Sequence, residues 1–234
     1  FMDKRYLFWS LVWVGFFYNF GLWLDKFMFW FYEPTSQAII GPLRASLIYD
    51  IPVFLAYLSI IPGMAVFLVK METDFVEFYD NFYNAVREGG ALEYIEEMRN
   101  EMVFTVRQGI YQIIKIQGIA ALTVFVAGEI ILNTLHISLL YLPLLFVNLI
   151  SVGLQVVFLG VLNVFFYLDK RRIVFILTGL FVVLNGVFTG LTLHLGPKFY
   201  GYGLAGALLI CIMLGFRYLD KVFDELEYNT FMLQ

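Results

Sequence analysis

Cysteine is almost missing from this chain. Cys211 is the single example in 234 residues, so no intrachain disulfide, thiol pair or cysteine metal site can form. Histidine is nearly as scarce. His136 and His194 stand far apart in sequence, and neither has a partner at metal-ligand spacing. Charge is thin as well: Asp, Glu, Lys and Arg make up 15% of the residues, against about 25% in an ordinary soluble domain. A soluble chain of this length buries a good core, but it still needs a polar surface that these residues cannot supply. The net charge of −4, with no large basic cluster, excludes nucleic acid as a partner. No HExxH pair, nucleophile elbow or phosphate-binding loop occurs, and no nucleophile, base and orienting group converge. The expectation is no enzyme, no cofactor and no metal. The string GYGLAG, Gly201–Gly206, matches a dinucleotide fingerprint in letters only. That motif works at a strand-to-helix turn, whereas here it opens an apolar segment, where small residues serve helix packing. Gly186 and Gly190 form a similar small-residue face.

What the chain has is apolar sequence: 61% hydrophobic, 19% aromatic and a mean hydropathy of +0.81. A spanning helix needs roughly 20 mostly apolar residues. Six segments qualify: Tyr6–Tyr32, Tyr49–Val69, Ile110–Leu135, Leu149–Leu168, Ile173–Leu195 and Phe199–Tyr218. Ile137–Asn148 is apolar but short and contains Pro143, and is expected to lie at the outer interface. The spans predict an all-α polytopic membrane bundle, read as a single domain over residues 1–234. With the N-terminus inside, twelve Lys and Arg residues fall on the cytoplasmic side, from Lys4 and Arg5 to Arg217 and Lys221. Only Arg44 and Lys198 fall outside, which places both termini in the cytoplasm. The first apolar run is too long for a signal peptide. The opening Phe1-Met2 points to a piece of a longer protein.

Between the second and third spans lies a cytoplasmic element, residues 72–107. Thr73 with Asp74 reads as a helix start. Phe75, Phe78, Tyr79, Phe82 and Val86 recur at helical spacing until Gly89-Gly90 breaks the run. Leu92, Ile95, Met98 and Met102 continue the pattern, which predicts an amphipathic helical hairpin. It holds nine acids against three arginines. Its acidic side is either a plain solvated face or, with Phe75, Phe78 and Phe82, a docking surface for a cytoplasmic partner.

Polar residues inside the spans fall into stripes. Glu129, Asn133 and His136 share a face of the third span. Asn148, Ser151 and Gln155 share one on the fourth, with Asn163 two turns on. Thr178, Asn185, Thr189 and Thr192 line the fifth. Such groups face other helices or water, because lipid tails offer them no partner. They either bond helix to helix or line a hydrated path. The candidate path residues are Glu129, Asn133, Gln155, Asn163, Asn185 and Thr189. In the first span Asp25 and Lys26 stand side by side. Asp25 lies twenty residues past Arg5, about 30 Å of helix, close to the outer boundary. Glu129 lies fourteen residues past Lys115, about 21 Å, also in the outer half. Lys26 and Glu129 can therefore meet as a gate pair. The alternative is that Asp25 and Lys26 are the wet end of a helix.

Several long strings carry a resemblance. GLWLDKFMFW, SLIYDIPVFLAYLSIIPGMAVFLVKMETDFVEFYDNFYNAVREG, RQGIYQIIKIQG, FYLDKRR and GPKFYGYGLA resemble the PelG family of membrane transporters. That family serves the bacterial Pel exopolysaccharide system, within the multidrug/oligosaccharidyl-lipid/polysaccharide flippase superfamily. The resemblance implies an inner-membrane transporter that moves a nascent, amino-sugar-containing polysaccharide outward. It also implies a cytoplasmic glycosyltransferase and other membrane subunits as partners, one of them a cyclic-di-GMP receptor. The family has about twice this many spans in two bundles, a common transporter plan, so this chain resembles the C-terminal half. A different class stays open: a non-transporting membrane scaffold that holds the glycosyltransferase through the acidic hairpin.

Overall fold

The computed structural model describes residues 8–226, so Tyr6, the start of the expected first span, and the flanking Lys4 and Arg5 lie outside it. The fold is helical apart from one small hairpin. Helix α1 (Trp9–Phe31) leads into strands β1 (Gln37–Ile40) and β2 (Leu43–Ala45). Helices α2 (Leu47–Leu58), α3 (Ile60–Val69), α4 (Phe75–Arg87), α5 (Leu92–Thr134), α6 (Leu142–Tyr167), α7 (Arg171–Leu195) and α8 (Tyr202–Asp224) follow. Four stretches are long and apolar enough to cross a membrane: α5, α6 and α8 with the short turns that lead into the last two, and α7. Helix α2 and the continuous helical stretch Ile60–Arg87 that begins with α3, bent by 43° against each other, make a fifth if they count as one span. The first expected span forms helix α1, but Asn19, Asp25 and Lys26 keep its composition below that level.

The core is built around α6, whose Val156, Phe158, Val161 and Phe165 are fully buried. Helix α6 packs on α8, α5 and α2, while α7 joins α8 to α1. Close approach explains the glycines here. A Cβ on Gly203 would lie 2.6 Å from the Thr189 backbone nitrogen, so α7 and α8 meet where only glycine fits. Gly186 and Gly190 face Leu24 and Met28 of α1.

Three local readings need correction. Ile137–Asn148 does not lie apart at the interface: after a short turn, Leu142 onward is the start of α6. Pro143 sits in the first helical turn, where its missing N–H has no partner to lose. Thr73 and Asp74 do not start a helix. The chain runs from α3 through a π-helical turn, Lys70–Asp74, straight into α4. Asp74 pairs with Lys70 at 2.6 Å instead of capping, and buried Met71 fits against Gly109 of α5. Finally, the amphipathic stretch from Leu92 and the third span are one helix. Its 43 residues extend about 65 Å, roughly twice a bilayer core.

The second span is broken at Ser59. Pro62 explains the position, since its ring clashes with the carbonyl four residues earlier, that of Leu58. The freed backbone is stitched internally. Ser59 Oγ donates to the Ala56 carbonyl at 2.7 Å, and Gln117 Nε2 of α5 donates to the Ser59 carbonyl at 3.1 Å. Between α1 and α2 the β-hairpin is antiparallel, pairing Gln37 with Ala45 and Ala38 with Arg44, and Gly41 turns it at φ +58°. Arg44 ties it back by donating to the Trp30 carbonyl at 3.2 Å.

Gly203→Ala is expected to cost about 1–3 kcal/mol through overpacking. It should lower the thermal unfolding midpoint of the purified protein in detergent. Gly118→Ala, with nothing within 4 Å of the place its new methyl would take, should not lower that midpoint and should raise it slightly through helix propensity.

Candidate functional site

Asp25 and Lys26 are not a wet helix end. Asp25 is 0% exposed and Lys26 is 7% exposed. Lys26 Nζ lies 3.2 Å from both Asp25 oxygens and donates to the Leu22 carbonyl at 2.8 Å. Tyr49 of α2 donates its hydroxyl to Asp25 Oδ2 at 2.6 Å. The Tyr49 ring stacks on Phe29 with centroids 3.8 Å apart, so α1 and α2 are joined by one polar and one apolar contact at the same place. Lys26 Nζ also sits 5.5 Å from the centre of the Tyr57 ring, and Tyr57 donates to Gln155 Oε1 of α6 at 2.7 Å. A chain of charge and hydrogen bonds thus runs from α1 through α2 to α6.

This chain of contacts forms the wall of a cleft of about 520 Å³. Trp23, Lys26, Trp30, Asp50, Tyr57 and Gln155 line it, with Leu22, Val53 and Phe54 between them. Asp50 is half-buried and held in place. Trp30 Nε1 donates to its two oxygens at 2.9 and 3.0 Å, and the Ser46 amide donates to Oδ2 at 3.0 Å. The Ser46 amide lies at the start of α2, where a carboxylate also meets the positive end of the helix dipole. The cleft therefore offers one fixed carboxylate, one ammonium, an amide side chain and four aromatic side chains.

The structure distributes the sequence-expected residues unevenly. Gln155 is in the cleft. Asn185 is fully buried, donating to the Gly21 carbonyl of α1 at 2.8 Å and accepting from Thr189 Oγ1 at 2.9 Å. Asn185 therefore ties α7 to α1, while the Thr189 bond stays within α7. Asn163 lies lower on α6, where it donates to Glu72 at 2.6 Å, as Tyr167 does at 3.0 Å. Glu129 and Asn133 are exposed on the outer surface of α5. Lys26 and Glu129 do not meet: the ammonium is engaged by Asp25 and Leu22, and Glu129 faces away from the bundle.

Phe75, Phe78 and Phe82 are not a docking stripe. Phe75 and Phe82 are fully buried and Phe78 is half-buried against the core, because α5 lies over α4 and covers that face. Beside them, burial pushes the Tyr83 hydroxyl up to about 12, with Tyr79 and Asp169 adding to the shift. Tyr83 thus stays a neutral hydroxyl at physiological pH. Sequence reasoning missed Trp30, Tyr49, Asp50 and Tyr57. A signal existed for one of them: Asp50 is an acid at the head of an apolar segment, and Asp50, Val53 and Tyr57 share a helical face.

Removing one partner of a buried ion pair leaves the other uncompensated, at a cost of about 3–5 kcal/mol. Asp25→Asn or Lys26→Met alone should each lower the unfolding midpoint sharply. The double variant should recover most of the loss, which a thermal-melt double-mutant cycle measures.

The comparisons with known proteins bear on the whole chain. No curated protein and no solved structure shows a significant match. One family model does match, PelG, whose description reads "Putative exopolysaccharide Exporter (EPS-E)", and it covers residues 1–231. Several apolar helices of membrane-spanning length fit an exporter that crosses the bilayer more than once. By this match along nearly its entire length, the chain belongs to the PelG family.

Proposed function

We propose that this chain moves a nascent exopolysaccharide, Pel-like and containing amino sugars, across the bacterial inner membrane. The observation that carries the reading is the cleft between α1, α2 and α6. Tryptophan and tyrosine faces suit the C–H faces of sugar rings. The fixed Asp50 carboxylate suits hydroxyl donors and the ammonium of an amino sugar. In this reading α1 is the sixth span, and the buried Asp25–Lys26–Tyr49 cluster holds the outer end of the path in shape. Both termini are cytoplasmic by the distribution of Lys and Arg. The chain acts as one bundle of a two-bundle transporter. Glu129 and Asn133, exposed on α5 at bilayer depth, need protein or water as a partner, and a second bundle across the path supplies it. Asn163 with Glu72 marks the cytoplasmic end, while Asn185 and Thr189 serve packing.

The partners in this reading are the polysaccharide, the lipid bilayer, a cytoplasmic glycosyltransferase and further membrane subunits of the synthase. A second reading keeps support from the exposed acids Glu77, Asp80, Glu93, Glu96, Glu97 and Glu101 on α4 and α5. It makes the chain a scaffold that docks the glycosyltransferase without transporting.

In cells that depend on the full-length protein for secretion, Asp50→Asn and Trp30→Ala should each reduce exported polymer at least tenfold at normal membrane levels. Gln155→Cys in a Cys211→Ser background should react with a small membrane-impermeant thiol reagent, and the labelling should change when synthesis is halted. Full secretion by both variants, with no labelling of Gln155→Cys, would reject transport through this cleft and favour the scaffold.

A further inference from the structure

A second large cavity lies at the opposite end of the bundle, away from the cleft and built from different residues. Its volume is about 880 Å³, and it opens between the start of α1 and the turn that joins α6 to α7. Three consecutive cations, Lys170, Arg171 and Arg172, line it, together with Ser10. Asp169 is the one carboxylate among the lining residues, and it pairs with Arg171. Among the described residues Lys170 and Arg172 have no ion-pair partner, so the cavity keeps an excess of two positive charges.

The cations are held by a fixed turn. Asp169 adopts a left-handed conformation at φ +53°, and the Lys170 amide donates to the Phe165 carbonyl at 2.9 Å. Arg171 is stacked over the Phe8 ring at 4.1 Å. The other wall is apolar. Phe175 and Ile176, one turn into α7, line the same cavity and are 39% and 54% exposed. Helix α7 is long and apolar enough to cross the bilayer, so this wall continues towards the hydrocarbon. One cavity thus joins a cationic rim to an apolar floor at a membrane boundary. A free anion fits only the rim and an uncharged lipid only the floor.

We propose that this cavity binds an anionic phospholipid, its phosphate held by Lys170, Arg171 and Arg172 and its acyl chain laid along Phe175 and Ile176. Ser10 lines the same cavity and adds a hydroxyl to it. Basic pockets beside membrane helices recognise anionic headgroups by this combination of charge and apolar surface. The site rests on α7 crossing the bilayer and is independent of what the cleft transports.

The test uses the full-length protein, delipidated in detergent and titrated with phosphatidylglycerol or phosphatidylcholine of identical acyl chains, with bound lipid counted by native mass spectrometry. Phosphatidylglycerol should bind preferentially. Lys170→Gln with Arg172→Gln should weaken it roughly thirty-fold, the product of two surface cations. Asp169→Asn should tighten it about fivefold, because the competing carboxylate is gone while asparagine keeps the left-handed turn. That gain cannot arise from misfolding. Equal binding of the two lipids, or unchanged affinity in both variants, would overturn the proposal. Displacement of the lipid by millimolar inorganic phosphate would also overturn it, in favour of a site for free phosphate.

Discussion

An acid and a base side by side near the end of an apolar helix have to be satisfied inside the protein, because hydrocarbon offers them nothing. That constraint organises the end of the bundle where α1 meets α2. Asp25 takes Lys26 and the Tyr49 hydroxyl, and Lys26 takes the Leu22 carbonyl and the Tyr57 ring. Each added partner belongs to the same helix or to α2, so the start of α2 is pinned against the end of α1. The β-hairpin between them is short, and its Arg44 closes back on Trp30. A buried pair of this kind is weak evidence for net stability, since desolvation opposes the Coulomb attraction. Its effect here is geometric: it fixes where Trp30, Asp50 and Tyr57 point, and so it shapes the cleft.

The same need for internal partners recurs wherever the helices depart from regularity. The break at Ser59 is closed by its own hydroxyl and by Gln117. The π-helical turn at Lys70–Asp74 is bridged by its own terminal residues. The irregular backbone thus finds its partners inside the protein, from a neighbouring helix at Ser59 and from its own side chains at Lys70–Asp74. Two of the polar stripes read from the sequence prove to be part of this internal bonding. Asn185 with Thr189, and Asn148 with Ser151, bond backbone or each other in buried positions. Only the Asn185 bond to the Gly21 carbonyl crosses between helices, a contact worth about 0.6 kcal/mol on average; the others satisfy the polar group within its own helix.

The two ends of the bundle differ in chemistry. The cleft between α1, α2 and α6 combines aromatic faces with a fixed carboxylate, and the other end carries cations over an apolar wall. A family of exopolysaccharide exporters needs both a surface that tolerates sugars and a stable seat in the bilayer. The long α5 links the membrane part to α4, whose aromatic face it covers while leaving the acids of both helices outward. What remains for a partner on that side is charge together with the exposed Leu92, Tyr94 and Phe104 of α5.

Composition alone determined the solvent of this protein. Sixty-one per cent hydrophobic residues leave no way to build a water-facing surface, and the helical period of the apolar runs follows from the lack of water to bond the backbone. The glycines at 203, 186 and 190 were legible as packing faces for the same reason. The sequence could not reveal which neighbour each polar group would find. Lys26 and Glu129 lie at similar depth, but depth is one coordinate, and the rotation of α5 turns Glu129 outward. Phe75, Phe78 and Phe82 form a proper amphipathic stripe, but only the fold decides that α5, and not another protein, covers it. Asp50 and Trp30 are twenty residues apart and meet because the hairpin reverses the chain. Hydrophobic burial is read from local pattern, whereas a hydrogen-bond partner is chosen among distant residues by the full packing of the helices.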